Sequence, residues 1–420
     1  MLQQNCFLQN IIIVFMKSTF SRRKFLKVTF VMSGALMAFH ASGNKALFAD
    51  NKRGKENVNQ WNGSLLKDPD TLFDLPSPLH YKEIMQTGNL MSDGLVYGGD
   101  PDGMEFFQLD KNRLALIINH ETTSPDKSLD VSKAYDTING IPYSGGTSTL
   151  ILNPETLEVD ESFRSLSGTI KNCAGGKTPW NTWISCEETS INEGAGITKD
   201  HGYNFEVIPS LTPSLTKAVP LKAMGRFRHE GVAFDKITGY VYQTEDKTDG
   251  LFYRFIPNVS NKLVKGGKLQ VLSFKDWRGI DTRNWNNQNI EVDKKYRVRW
   301  IDIDDVESPN DDLRYRGNNR GGAIFARGEG IFYANNTIFF TATTGGKNKT
   351  GQIWKYNIEN NGSDDTIELF YESNSSNHLN MPDNIILSPN GSVILCEDGK
   401  GKDRLVCINP DKTISYLANN

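Results

Sequence analysis

The chain has 420 residues, with 47 Lys and Arg against 50 Asp and Glu and a net charge of −3, so it carries no basic field of the kind that nucleic acid requires. It contains 37 Gly, and its 7 Trp, 14 Tyr and 22 Phe favour many short strands and turns over helices. The length admits two or three domains or one large all-β unit, and no segment after about residue 60 keeps a 3.6-residue apolar period.

The N-terminus reads as a targeting device. SRRKFLK at residues 21–27 precedes the apolar run VTFVMSGALMAFHASG, the pattern of a twin-arginine export signal. The apolar run is short and broken by Ser and Gly, which argues against a stable membrane anchor. Residues 1–15 do not fit the basic region of such a signal, so Met16 is the expected initiator, with cleavage near residues 46–49. The expected partition is a signal over residues 1–49 and a single domain over 50–420, exported to the periplasm or beyond by the twin-arginine translocase. Of the five cysteines, Cys6 is lost with the signal or, with Met16 as the initiator, never translated. Cys173, Cys186, Cys396 and Cys407 then face an oxidising compartment where disulfides can form, although nothing in their spacing demands one.

Past the signal the chain repeats itself. DGMEFFQLDKNRLALIINHETT, from Asp102, is the first frame. NCAGGKTPWNTWISCEE, residues 172–188, is the second. HEGVAFDKITGYVYQTEDKTDGLFYRFIP, from His229, is the third. Next comes a polar, irregular stretch, residues 258–320, which reads as an insertion or an atypical blade, because Glu230 and Glu329 stand nearly twice as far apart as neighbouring equivalents. GEGIFYANNTIFFTATTGGKNKTGQIWKYNI, from Gly328, and PDNIILSPNGSVILCEDGKGKDRLVCINPDK, from Pro382, are the fourth and fifth. Each reads as an acid or thiol, an apolar strand, a turn, a second apolar strand and a polar tip, with tight turns at residues 236–239, 335–336 and 389–391. A meander recurring in this way is the signature of a propeller blade.

Superposed, the frames bring Asp102, Cys173, Glu230, Glu329 and Asp383 to one position at the start of the first strand. They bring Glu187-Glu188, Glu245-Asp246 and Glu397-Asp398 to the end of the second, with His120-Glu121 in the first frame and Thr344 in the fourth. First strands line the channel of a propeller, so the five donors meet at one end of it. Buried anions gathered this closely require positive charge among them. Carboxylates suit hard cations such as Ca²⁺ or Fe³⁺, whereas one thiolate suits a transition metal. Lys171 and Lys177 flank the Cys173 turn and are candidates to attract phosphate, against the plainer reading of surface lysines with no specific role. Cys186 and Cys396 are expected as buried free thiols, Trp180 and Trp183 as blade packing, and His229 as turned away from the donors. No Ser-His-Asp constellation and no Walker loop is present.

SGTIKNCAGGKTPWNTWISCEET, GRFRHEGVAFD, GYVYQTED, GLFYRFIP and PDNIILSPNGSVILCEDG resemble the PhoX-type alkaline phosphatases, from about Gly99 to about Lys412. The resemblance implies a six-bladed β-propeller that hydrolyses phosphate monoesters with ferric iron and calcium joined by an oxo bridge. It implies Cys173 as the thiolate ligand to iron, Glu230 and Glu329 as iron or calcium ligands, and Glu187 and Glu188 on the calcium side. Arg327 would contact phosphate and, with Glu329 and Glu230, make the catalytic group. Asn119, Glu121 and Asp102 also match the family's motifs. Asp383 and Glu397 join the metal set through the repeat, and Lys171 joins Arg327 as a substrate residue. The partners expected are small phosphate esters, with no nucleic acid, and the protein is expected to be a monomer. Two other readings remain open from the residues themselves: a non-catalytic propeller stiffened by calcium, and a calcium-dependent lactonase or diesterase. The thiol of Cys173 discriminates, because a calcium-only site has little use for it.

Overall fold

A computed structural model describes residues 12–17, 64–69, 72–76, 79–359, 362–388, 390–401 and 403–420, the first of these as backbone only. The twin-arginine stretch, the expected cleavage region and Cys6 lie outside the described residues. Among those described, no helix is long and apolar enough to cross a membrane.

The fold is an all-β propeller. Its first blade runs Pro101–Gln108, Leu114–His120, Gly145–Leu152 and Val159–Thr169, and its second Asn172–Lys177, Trp183–Glu187 and Asn204–Val207. The third is His229–Phe234, Val241–Glu245, Phe252–Pro257 and Gly267–Phe274. The fourth is Gly328–Ala334, Thr337–Ala342, Gln352–Asn357 and Thr366–Glu372. The fifth is Pro382–Leu387, Val393–Glu397, Arg404–Ile408 and Ile414–Asn419. All are antiparallel meanders. The second strands are buried along their whole length, except at Thr337 in the fourth blade, because each blade is covered on both faces by its neighbours. That is why they are rich in apolar residues on both faces. In the fourth blade Asn335 and Asn336, both with φ near +55°, make the two-residue turn whose twist suits a hairpin.

The apolar core is a ring of layers between blades. Tyr203 and Trp183 belong to the layer between the first two, Phe255 and Ile184 to the next, Trp354 and Phe252 to the third, and Ile353 and Leu395 to the fourth. The described residues form five blades, against the six that the resemblance implies. The remaining place is filled by residues 73–76 and 79–97. Phe73, Leu75 and Leu79 pack on the fifth blade, and Met85, Met91 and Tyr97 on the first. Within this segment His80–Gln86 forms a two-stranded parallel sheet with Ile12–Lys17, so the seam is closed by a strap in place of a full meander.

Residues 258–320 supply no strand to the channel. They complete the third blade, then run through a long loop to Lys295–Asp302. That strand pairs with Gly267–Phe274 on one side and Thr366–Glu372 on the other, joining the third and fourth blades into one nine-stranded sheet and covering two otherwise open edges. The helix Leu313–Arg320 follows and ends at Gly321, φ +113°, in the left-handed conformation that glycine adopts without a Cβ clash.

Candidate metal centre

Each blade turns the same corner at one end of the channel. The innermost strand begins one residue before a donor: Pro101 before Asp102, Asn172 before Cys173, His229 before Glu230, Gly328 before Glu329, Pro382 before Asp383. In all five the register slips between the residue before the donor and the second residue after it. Such a bulge re-aims a side chain at a strand end. The residue that precedes the strand accepts, through its carbonyl, the N–H of the first residue beyond the second strand. The pairs are Asp100 with Glu121, Lys171 with Glu188, Arg228 with Asp246, Arg327 with Thr343 and Met381 with Asp398. The equivalent of the acids in the fourth blade is therefore Thr343, one residue before the Thr344 expected from the sequence. Asp100, Lys171, Arg327 and Met381 are left-handed, with φ between 44° and 57°, a conformation uncommon outside glycine.

The strands crowd at the axis. A Cβ on Gly103 would stand 2.6 Å from the Ala174 Cα, and one on Gly330 would stand 2.6 Å from the Asp383 carbonyl oxygen, so in the first and fourth blades the position after the donor is held by glycine. Side chains from the preceding blade hold the donors' carbonyls. Asn119 Nδ2 donates to the Cys173 oxygen at 2.8 Å, Thr244 Oγ1 to that of Glu329 at 2.6 Å, and Thr341 Oγ1 to that of Asp383 at 2.8 Å. Trp183 Nε1 in turn donates to Asn119 Oδ1.

The five donors meet, and all are buried. Cys173 Sγ lies 3.1 Å from Asp102 Oδ2 and 3.0 Å from Glu230 Oε1. Three groups offer ligand atoms within 4.8 Å of one another: Asp102, Glu121 and Cys173; Cys173, Glu188 and Glu230; and Glu230, Glu329 and Asp383. They follow one another round the axis, with Cys173 shared by the first two and Glu230 by the last two. Above them is a cavity of about 370 Å³ whose lining includes Lys171, Arg228, Arg327, Asp246 and Asp398. Burial, with the fields of Asp246, Glu230 and Asp383, holds the Glu329 carboxyl well above the usual carboxylate range. Glu188 is pushed up to about 7 by burial and by Asp246, against the pull of Lys171.

This donor set fits metal ions. A thiol has one proton and cannot donate to two carboxylates at once, and a cation among these groups satisfies them together. Three adjacent groups rich in oxygen with one sulfur match a cluster of hard cations that includes a transition metal.

The cations at the mouth are fixed unequally. Arg327 donates through Nε and Nη2 to both oxygens of Asp246, at 2.7 and 3.1 Å, and through Nη2 to Glu329 Oε1 at 2.6 Å. Lys171 bridges Glu121, at 3.0 Å, and Glu188. Arg228 reaches Glu188 only at 3.7 Å, and 42% of its side chain is exposed.

Two expected metal residues stand elsewhere. Glu187 is fully buried and turned into its blade, where its oxygens accept from the N–H groups of Ile170, Gly202 and Tyr203 and meet His201 Nδ1 at 2.7 Å. Glu397 is held by Nε and Nη2 of Arg404, at 2.6 and 2.7 Å, and by the Asn380 N–H. In each acid pair the first residue still belongs to the strand and faces into the blade, and the second faces the cavity. Arg228 was missed from the sequence, and Asp246 and Asp398 were aligned by the repeat but not assigned to the site. Arg228 shares its repeat position with Lys171 and Arg327, and Asp246 and Asp398 share theirs with Glu188, so strict use of the repeat would have found them. Lys177 points the other way, to the Phe106 carbonyl. His229 is buried against Phe227, and Cys186, Cys396 and Cys407 are buried.

A sequence model of the family described as alkaline phosphatase PhoX matches residues 61–155 and 143–420. The chain belongs to the PhoX family. It is therefore a phosphoric monoester hydrolase by family. Among solved structures, Pseudomonas fluorescens PhoX in complex with vanadate, a transition state analogue, matches at 17% identity and TM-score 0.57, over 79% of this chain and 82% of that one, which shows the shared fold. The Pseudomonas aeruginosa periplasmic gluconolactonase PpgL matches at 10% identity and TM-score 0.37, over 78% and 76%. A Trichoderma reesei enzyme of carbohydrate-active family AA12 matches at 11% and 0.39, over 83% and 98%. None of the curated proteins compared with the chain matches it.

Proposed function

We propose that this PhoX family member is exported by the twin-arginine route and releases inorganic phosphate from small phosphate monoesters with a centre of iron and calcium. The observation that carries the reading is the meeting of Asp102, Cys173, Glu230, Glu329 and Asp383 at one corner position, beneath a cavity whose cations share another. Those five, with Glu121 and Glu188, would hold the ions; Glu187 and Glu397 leave the set. The bound ions would offset the negative charge that builds on the phosphoryl oxygens and supply the activated oxygen nucleophile.

The chain's own part is recognition and orientation. Arg327, steadied by Asp246 and Glu329 through Nε and Nη2, keeps Nη1 for a phosphate oxygen. Arg228 adds the most loosely held guanidinium of the mouth, and a fork of N–H donors matches phosphate geometry. Lys171 neutralises Glu121 and Glu188 where a dianionic substrate enters. Burial of the donors excludes water from beneath the substrate.

Elemental analysis of the protein exported in its folded state, with p-nitrophenyl phosphate turnover on the same sample, tests this. Iron and calcium together with turnover are expected. Calcium alone without turnover would leave a non-catalytic propeller.

A further inference from the structure

The buried first acids of the three pairs share one need, a counter-cation, and meet it differently. In the fifth blade Arg404, directly opposite Glu397 on the third strand, supplies it. In the second blade His201, just ahead of the third strand, meets Glu187. In the third blade the corresponding place, one residue beyond the Thr244–Phe252 pair, is held by Leu251, which cannot. Glu245 is nevertheless buried, its Oε2 accepting from the Leu251 N–H at 3.1 Å and from Tyr253 Oη at 2.8 Å. The cation nearest its other oxygen is Arg314 Nη1 at 4.0 Å, from the helix that ends the insertion.

Arg314 also reaches past Glu245 to the tip of the blade. Its Nε donates to Asp249 Oδ1 at 3.1 Å, and Nη1 lies 3.1 Å from Asp311 Oδ1. Asp311 in turn pairs with Lys247 at 3.1 Å. The Lys247 carbonyl accepts the Arg327 N–H at 2.8 Å, and Asp246, next in the chain, grips the Arg327 guanidinium. The insertion thus touches the corner that aims Arg327 through backbone and side chain together.

We infer that Arg314 is a positioning residue for phosphate recognition: the insertion supplies the cation that the third blade lacks, and so fixes the tip at residues 246–250 and the orientation of Arg327. This rests on the phosphatase reading for its ligand. It makes the insertion part of the substrate grip, although it contributes no group to the cavity.

The test compares wild type, Arg314→Met and Arg314→Lys as the full exported protein, with metal content, KM and kcat for p-nitrophenyl phosphate and inhibition by vanadate. In Arg314→Met, KM and the vanadate inhibition constant are expected to rise about tenfold, with kcat within about threefold and iron and calcium retained. Arg314→Lys, which keeps the charge without the fork, is expected to recover part of the loss. Unchanged KM and vanadate inhibition in folded Arg314→Met would overturn the inference, as would a loss of metal that tracks the loss of rate. Should Arg314→Met not fold, Asp249→Ala removes the acceptor of its Nε and is expected to raise KM about threefold, and an unchanged KM there counts equally against it. Should wild type not turn over the ester, the phosphatase reading fails on its own. Calorimetry with orthophosphate then reads the inference, which expects about tenfold weaker binding in Arg314→Met and is overturned by equal binding or by none in wild type.

Discussion

The Cys173 sulfur and the Glu230 carboxylate, 57 residues apart in the chain, stand 3.0 Å from each other on the channel axis. Neighbouring blades deliver them from the same corner position, and the three donor groups link through these two residues. A soft donor shared between two otherwise oxygen-rich groups is where a transition metal is expected.

Cys173→Ala should therefore lose iron, keep calcium, and lower kcat/KM by about 100-fold or more. Elemental analysis with initial rates checks it. Full iron at an unchanged rate would remove Cys173 from the centre.

Glu187 and Glu188 are adjacent in the chain and face opposite ways. Glu187→Gln should keep the metal stoichiometry and lower stability by about 3 kcal/mol, because it unbalances a buried charge network. Glu188→Gln should do the reverse, losing metal with little loss of stability in the metal-free protein. Thermal melts with and without chelator, beside metal analysis, separate the two.

Arg228→Ala should raise KM for a phosphate monoester by about tenfold with metal content unchanged, since it removes one charge-assisted contact to the substrate. Arg228→Glu should abolish saturation altogether. Kinetics on metal-replete protein check both, and an unaltered KM would confine Arg228 to the surface.

His201 lies between Glu187 and Asp136, at 2.7 and 3.1 Å. Burial disfavours its charged ring, but Glu187 and Asp136 outweigh that and raise its pKa to about 9. A ring protonated more tightly in the fold than in the unfolded chain contributes stability that is full below about pH 6.5 and fades as pH rises through about 9. The expected size is up to about 3 kcal/mol. The melting temperature of the metal-free protein should fall by a few degrees over that window, and His201→Gln should flatten the slope. Equal slopes in both proteins would remove His201 as the cause.

The sequence by itself determined the all-β repeat, the five donors and the cation beside two of them. The reason is that a blade is a local unit: hydrophobic runs, turn residues and intervals along the chain carry its strands and its register, so residues at one repeat position must share one place on the ring. Tertiary structure alone decided which acid of each pair faces the cavity. Glu188 and Glu187 differ by one residue, and their directions depend on the bulge after Cys173, the left-handed bend at Lys171 and the partner that His201 offers. It also decided that residues 73–76 and 79–97 close the seam and that Arg314 meets the buried acid of the third blade. Those contacts join segments far apart in the chain, and no local spacing records which distant cation will satisfy a buried carboxylate.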